Sequence, residues 1–177
     1  MRKRNIPFAL ASSIYDIDVS FYKKLGIKAL LVDLDNTLDH NKVALPGEKT
    51  FLWRDAVKRE GIRIFILSNN SGQRVGRYAT ALEVEHRCFM RKPFAGPLKR
   101  FLKEEGFAPE DVLLIGDQIQ TDILAGNGAG VRCILTEPLD PTHEPPWTVF
   151  NRLFDKPKRK KIKKLRLAPD WKEVLHE

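Results

Sequence analysis

Five strand-length runs, at residues 27–32, 62–67, 84–89, 112–115 and 131–135, constrain the fold of this chain more than any other feature. They are short and bounded by turn residues, and they read as strands buried on both faces. Helix-length segments separate them. Residues 46–60 place Phe51, Leu52, Ala56 and Val57 at helical spacing and stop at Gly61. Residues 71–83, 94–105 and 121–128 fill the later gaps, the 94–105 segment ending at Gly106 before a Pro109-Glu110-Asp111 turn. Parallel strands need a crossover, normally a helix, so this alternation predicts an α/β fold: a central parallel five-stranded sheet covered on both faces, in three layers. A length of 177 residues with 42% hydrophobic content suits one core. Doubly wound sheets bind ligands at the carboxyl ends of their strands, so the residues that follow each run are the place to look for chemistry.

Four prolines between residues 137 and 147 (Pro138, Pro141, Pro145, Pro146) predict an extended coil that closes the core. The expected division is a domain over 1–150 and a basic extension over 151–177. Beyond the prolines, Phe150, Leu153 and Phe154 fit one apolar helical face, and Trp171, Val174 and Leu175 another. Eight basic residues, Lys156, Lys158, Arg159, Lys160, Lys161, Lys163, Lys164 and Arg166, stand there with no acid among them. Subtracting these 8 from the formal net charge of +8 leaves 0 for the rest of the chain. The basic start Met1-Arg2-Lys3-Arg4 precedes an apolar stretch, residues 8–11, far too short for a signal-peptide core or membrane span, and the expected location is cytoplasmic. Cys88 and Cys133 form neither a disulfide framework nor a zinc spacing and read as small buried hydrophobes. No internal repeat is visible.

Asp33 and Asp35 follow the first run directly, and strand alternation puts their side chains on one side. One carboxylate can attack while the other moves a proton, or both can serve a loop or helix cap. Ser68-Asn69-Asn70 follows the second run, where a hydroxyl and backbone amides can hold a phosphate oxygen or start a helix. Lys92 follows the third as a point charge suited to phosphoryl oxygens and crowded carboxylates. Gly116-Asp117 follows the fourth, with Asp122 five residues on; the glycine lets the backbone turn closely. Asp117 can complete a magnesium site begun by Asp33, and Asp122 either ligates directly or bonds loop amides.

Taken in order, Asp33-Leu34-Asp35-Asn36-Thr37, Ser68, Lys92 and Gly116-Asp117 with Asp122 resemble the motif series of the haloacid-dehalogenase (HAD) superfamily of phosphohydrolases, over about residues 27–135. The resemblance implies that Asp33 attacks phosphorus and that Asp35 protonates the leaving oxygen, then activates water. It assigns Mg²⁺ to the Asp33 carboxylate, the Asp35 backbone carbonyl and Asp117, and phosphate binding to Ser68, Asn69 and Lys92, with Asp122 behind the ligands. It also puts the strands ending at Asp33 and Asp117 at the centre and Cys88 and Cys133 on opposite edge strands. Four spacings of about 4.8 Å then separate the thiols by roughly 19 Å, beyond disulfide reach.

The intervals 39–67 and 69–91 have no room for an inserted cap domain, which needs about 40 residues. The expected enzyme is capless, its crevice open to a phosphate presented by a large object. Arg74-Val75, Pro93, Gln118, Thr121 and Asn151-Arg152 extend the resemblance to the subclass III, YqeG-type branch, which includes phosphatidylglycerophosphate phosphatases. That branch implies phosphatidylglycerophosphate as substrate, at the inner face of a membrane. A soluble or nucleic-acid phosphate ester is the alternative substrate, and an RNA- or ribosome-associated protein with a vestigial site the alternative class. For the basic run 156–166, an anionic membrane surface, nucleic acid and a simple solvated terminus stay open.

Overall fold

A computed structural model describes residues 3–70 and 72–174. Six strands form one parallel sheet in the order β1-β6-β5-β2-β3-β4: β1 (Ala9–Ala11), β2 (Ala29–Val32), β3 (Arg63–Leu67), β4 (Glu85–Arg87), β5 (Val112–Gly116) and β6 (Arg132–Thr136). The helices are α1 (Val19–Lys24), α2 (Glu48–Arg59), α3 (Gly72–Leu82), α4 (Ala95–Glu105), α5 (Leu124–Ala129) and α6 (Pro146–Lys164). Strand alternation divides the core. Leu30 and Val32 of β2 face a layer containing Phe21, Trp53, Val57, Val75, Tyr78 and Leu82 from α1, α2 and α3. Ala29 and Leu31 face the other layer, built from Leu98, Phe101 and Leu102 of α4 with Ile119, Ile123 and Ile162. The three-layer expectation therefore holds. None of the described helices is long and apolar enough to cross a membrane.

Three expectations change. The sheet has six strands, not five: residues 9–11 read Ala-Leu-Ala, too short and too small to announce a strand, and register with Ile134, Leu135 and Thr136 of β6 is what makes them one. Cys133 consequently lies inside the sheet, not on an edge; both thiols are free, and Cys88 is only half-buried. Residues 84–89 are not a buried strand either. β4 is an edge of three residues whose Glu85 and Arg87 are exposed, and Glu85 pairs across the ladder with Arg63 at 2.9 Å.

The segment after residue 150 is part of the folded body. Helix α6 runs across that position, and beyond it the backbone returns to β1: Leu10 N donates to Pro169 O at 2.9 Å and Trp171 N to Leu10 O at 2.9 Å. The exposed edge of β1 is thereby covered, which removes a pairing template for other chains. Trp171 packs edge-on against Phe21 with ring centroids 5.5 Å apart, and Val174 joins the same layer. Met1, Arg2, Ser71 and Leu175 lie outside the described residues.

Candidate active site

Strands β2, β3 and β5 end side by side, and that register gathers the buried acids Asp33, Asp117 and Asp122 at the carboxyl end of the sheet. Asp33 N continues the ladder by donating to Ile115 O at 2.9 Å, so its side chain emerges between β3 and β5. Asp33, Asp117 and Asp122 bring one carboxylate oxygen each within 4.8 Å of one another. Lys92 reaches into this cluster from beyond β4. Its ammonium donates to Asp33 Oδ1 at 2.5 Å, to Asp122 Oδ1 at 2.7 Å and to Leu67 O at 3.0 Å, so all three of its protons are committed. Asn69 holds the lysine from behind, its Nδ2 donating to Lys92 O at 2.9 Å and its Oδ1 accepting from Lys92 N at 2.8 Å.

Electrostatics follow from burial and crowding. Burial lifts the Asp33 carboxyl well above the usual range; Lys92 opposes this, while Asp122, Asp117 and Asp35 add to it. Burial would lower the Lys92 ammonium, but Asp122 and Asp33 overcome it and hold the group above its ordinary value. Asp117 is pushed up to about 6 by burial, against the pull of Arg152. Three carboxylates thus share a water-poor space with two cations, an arrangement short of positive charge.

That shortage meets an open ligand. Asp117 Oδ1 is buried with no hydrogen-bond partner, although its Oδ2 accepts from Arg152. Asp122 is fully engaged: Oδ1 by Lys92, and Oδ2 by Gln118 N at 3.1 Å and the Thr121 hydroxyl at 3.3 Å. The orphaned oxygen of Asp117 beside Asp33 fits a hard divalent cation, which prefers carboxylate oxygens, and Asp122 instead orients Lys92 and the loop. Gly116 is required for room. It does not adopt a positive φ, and a Cβ placed there would lie 2.3 Å from Asp122 Cγ.

Asp35 stands apart from the acid cluster. Its Oδ1 accepts from Arg74 Nη1 at 2.5 Å and its Oδ2 from Asn70 Nδ2 at 2.9 Å, and Arg74 is itself anchored on Val43 O and His40 O. Ser68 is buried, and its Oγ accepts from Asn70 N at 3.1 Å. Asp33, Asp35, Ser68, Asn69 and Lys92 line one cavity of ≈100 Å³, and Asp35 also lines an adjoining cavity of ≈310 Å³ with Asn36, Asn41 and Arg74. Asp35, Asn70, Gln118, Trp147 and Thr148 border both.

Helix α6 supplies what the sequence reading did not assign. Arg152, buried, donates through Nη1 to Asp117 O at 2.9 Å and through Nη2 to Asp117 Oδ2, and its Nε bonds both Glu144 oxygens at 2.9 and 3.0 Å. Arg159 also donates to Asp117 O. Asp155, buried, accepts from Ile119 N at 2.8 Å and Gln120 N at 3.1 Å, capping the wide π turn Ile119–Ile123 from outside. A signal for Asp155 was present: it is the single acid between Glu144 and Asp170.

The HAD-hydrolase-like family matches residues 89–138. The chain is 30% identical over 139 residues to a Bacillus subtilis protein named "Probable phosphatase YqeG", covering 78% of this chain and 81% of that one. The chain belongs to the HAD superfamily of phosphatases. A second relative is the phosphatidylglycerophosphate phosphatase 1 of Arabidopsis thaliana chloroplasts and mitochondria, 31% identical over 154 residues. That match covers 79% of this chain and 43% of the plant protein, so the chain spans under half of it. Crystal structures of an uncharacterised Listeria monocytogenes protein (TM-score 0.54, 15% identity, 67% of this chain and 85% of that one) and a hypothetical Xanthomonas campestris protein (0.52, 16%, 79% and 78%) share the fold. As a HAD phosphatase, the chain hydrolyses a phosphorylated substrate.

Proposed function

We propose that this phosphatase is Mg²⁺-dependent, uses Asp33 as nucleophile and Asp35 as general acid and base, and acts on phosphatidylglycerophosphate. The observation that carries the roles is the position of Asp35 at the junction of the two cavities. The smaller, with Asp33 and Lys92, suits the phosphoryl group; the larger, polar one suits the leaving alcohol. An Asp33 oxygen forms a bond to phosphorus while the P–O bond to the alcohol breaks, and Asp35 gives the departing oxygen its proton. Asp35 then takes a proton from water, which attacks the aspartyl-phosphate, releasing inorganic phosphate and free Asp33. The Ser68 hydroxyl orients the phosphoryl oxygens, and Lys92, its protons held by Asp33, Asp122 and Leu67 O, offsets their charge. Asp33 and Asp117 would hold Mg²⁺, which when bound neutralises charge on the carboxylates and phosphoryl oxygens.

The lipid reading is supported by the plant relative's name, the absence of an inserted cap between the motif strands among the described residues, and the polyol-compatible lining of the larger cavity. Purified protein with Mg²⁺ is expected to release phosphate from phosphatidylglycerophosphate in detergent micelles in preference to soluble monoesters, and to stop on chelation. Brisk hydrolysis of nucleotide or sugar phosphates with none of the lipid rejects the substrate while leaving the chemistry. The Asp35 role has its own test. Asp35→Asn is expected to lose about 10²–10⁴-fold on esters of poor leaving groups and much less on p-nitrophenyl phosphate, whose phenolate needs no proton. Equal losses on both substrates would take the proton-transfer role away from Asp35.

A further inference from the structure

Helix α6 is inside out for a surface helix. Its charged residues Arg152, Asp155 and Arg159 face the protein, with Ile162 as the buried apolar contact, whereas Trp147, Phe150, Leu153 and Phe154 face away. The outward residues recur at intervals of three and four, so they form one stripe. Trp147 is 72% exposed, Leu153 62%, and Phe150 and Phe154 49% each. The rings make a continuous row: Trp147 stacks on Phe150 with centroids 6.0 Å apart, and Phe150 meets Phe154 edge-on at 5.1 Å. Soluble proteins rarely leave such a row uncovered unless something docks there. In the following turns the same outward side carries Lys160, Lys161 and Lys164, all exposed. At its other end the stripe reaches the catalytic mouth, because Trp147 lines both cavities.

We propose that the outward face of α6 is a docking face for an anionic lipid bilayer. The aromatic half lies in the boundary between headgroups and acyl chains, the basic half lies over acidic headgroups, and the active-site mouth is thereby held at the lipid surface. Aromatic and aliphatic side chains followed by lysines on one helix side are the composition of helices that lie in a membrane interface. Charge selects this occupant over a second copy of the chain. The one acid of α6, Asp155, is turned inward, so a facing α6 would have no carboxylate to offer these lysines. This inference deepens the lipid-phosphate reading above and rests on it for its purpose, but it is tested without that substrate.

The experiment is flotation of the full chain with vesicles of phosphatidylcholine alone or with added phosphatidylserine, neither of which carries a phosphomonoester. The chain is expected to float with the anionic vesicles, less with the neutral ones, and less at high salt. The triple substitution Phe150→Ser/Leu153→Ser/Phe154→Ser is expected to weaken flotation on the order of tenfold or more, with turnover of p-nitrophenyl phosphate unchanged. Lys160→Glu/Lys161→Glu/Lys164→Glu is expected to abolish the preference for anionic vesicles. Wild-type protein that stays at the bottom of the gradient, or triple-serine protein that floats like wild type, overturns the proposal. A wild-type dimer that the serines disperse, without vesicle binding, overturns it in favour of a second copy. Should micellar phosphatidylglycerophosphate resist hydrolysis while flotation succeeds, the substrate reading fails and the docking face stands.

Discussion

Asp33→Asn is expected to reduce phosphate release by about 10⁴-fold or more on every substrate while the protein stays folded. The amide copies the shape of the carboxylate but has no charge with which to attack phosphorus. The folded state should tolerate the change. Asp33 is crowded by Asp117 and Asp122 in a buried space, and neutralising it relieves repulsion at the cost of the charge on one of the three acceptors of Lys92. A thermal midpoint at or above the wild-type value, with turnover lost, is the combination to look for. Turnover near the wild-type level would place the nucleophile elsewhere.

Arg152→Ala is expected to be the most destabilising single change in the molecule's charged interior. The guanidinium neutralises Asp117 and Glu144 together and bonds the Asp117 carbonyl, and its removal leaves two buried carboxylates without their cation. Breaking a buried pair from one side costs about 3–5 kcal/mol, against the roughly 5–15 kcal/mol that holds a domain of this kind together. The urea midpoint should fall accordingly. Hydrogen exchange should accelerate first in α6, to whose attachment the arginine contributes with Asp155 and Arg159. Arg152→Lys keeps the charge but not the planar fork, and should recover only part of the loss. A midpoint unchanged in the alanine variant would mean that Asp155, Arg159 and Ile162 hold α6 without it.

The parts of this site that could be read from the residues are those set by strand ends. Asp33, Ser68 and Asp117 follow β2, β3 and β5, whose apolar runs are long enough to place, and a parallel sheet then brings those ends together without further information. What could not be read depends on contacts between distant segments. β1 is a strand only because β6 and residues 169–171 bond it on both sides. Helix α6 shows a sharper limit. Periodicity identifies an apolar face but not its direction, and here the inward face bonds the backbone at residues 117–120 and must be charged. The assigned role of Gly116 shifted similarly, from turning the chain to leaving space for Asp122.

The covering of β1 by residues 169–171, together with the reach of Arg152 to Asp117, orders events during synthesis. The ribosome delivers Asp33, Lys92 and Asp117 well before Arg152 and Asp155, and the partner of Leu10 emerges some 160 residues after it. Contacts so far apart in sequence close late. A nascent chain that has already displayed Asp33 therefore has its acidic cluster without Arg152 and the turn at 119–123 without its cap. Completion of the site thus falls to a helix made after it, and chains cut before residue 146 are expected to release no phosphate.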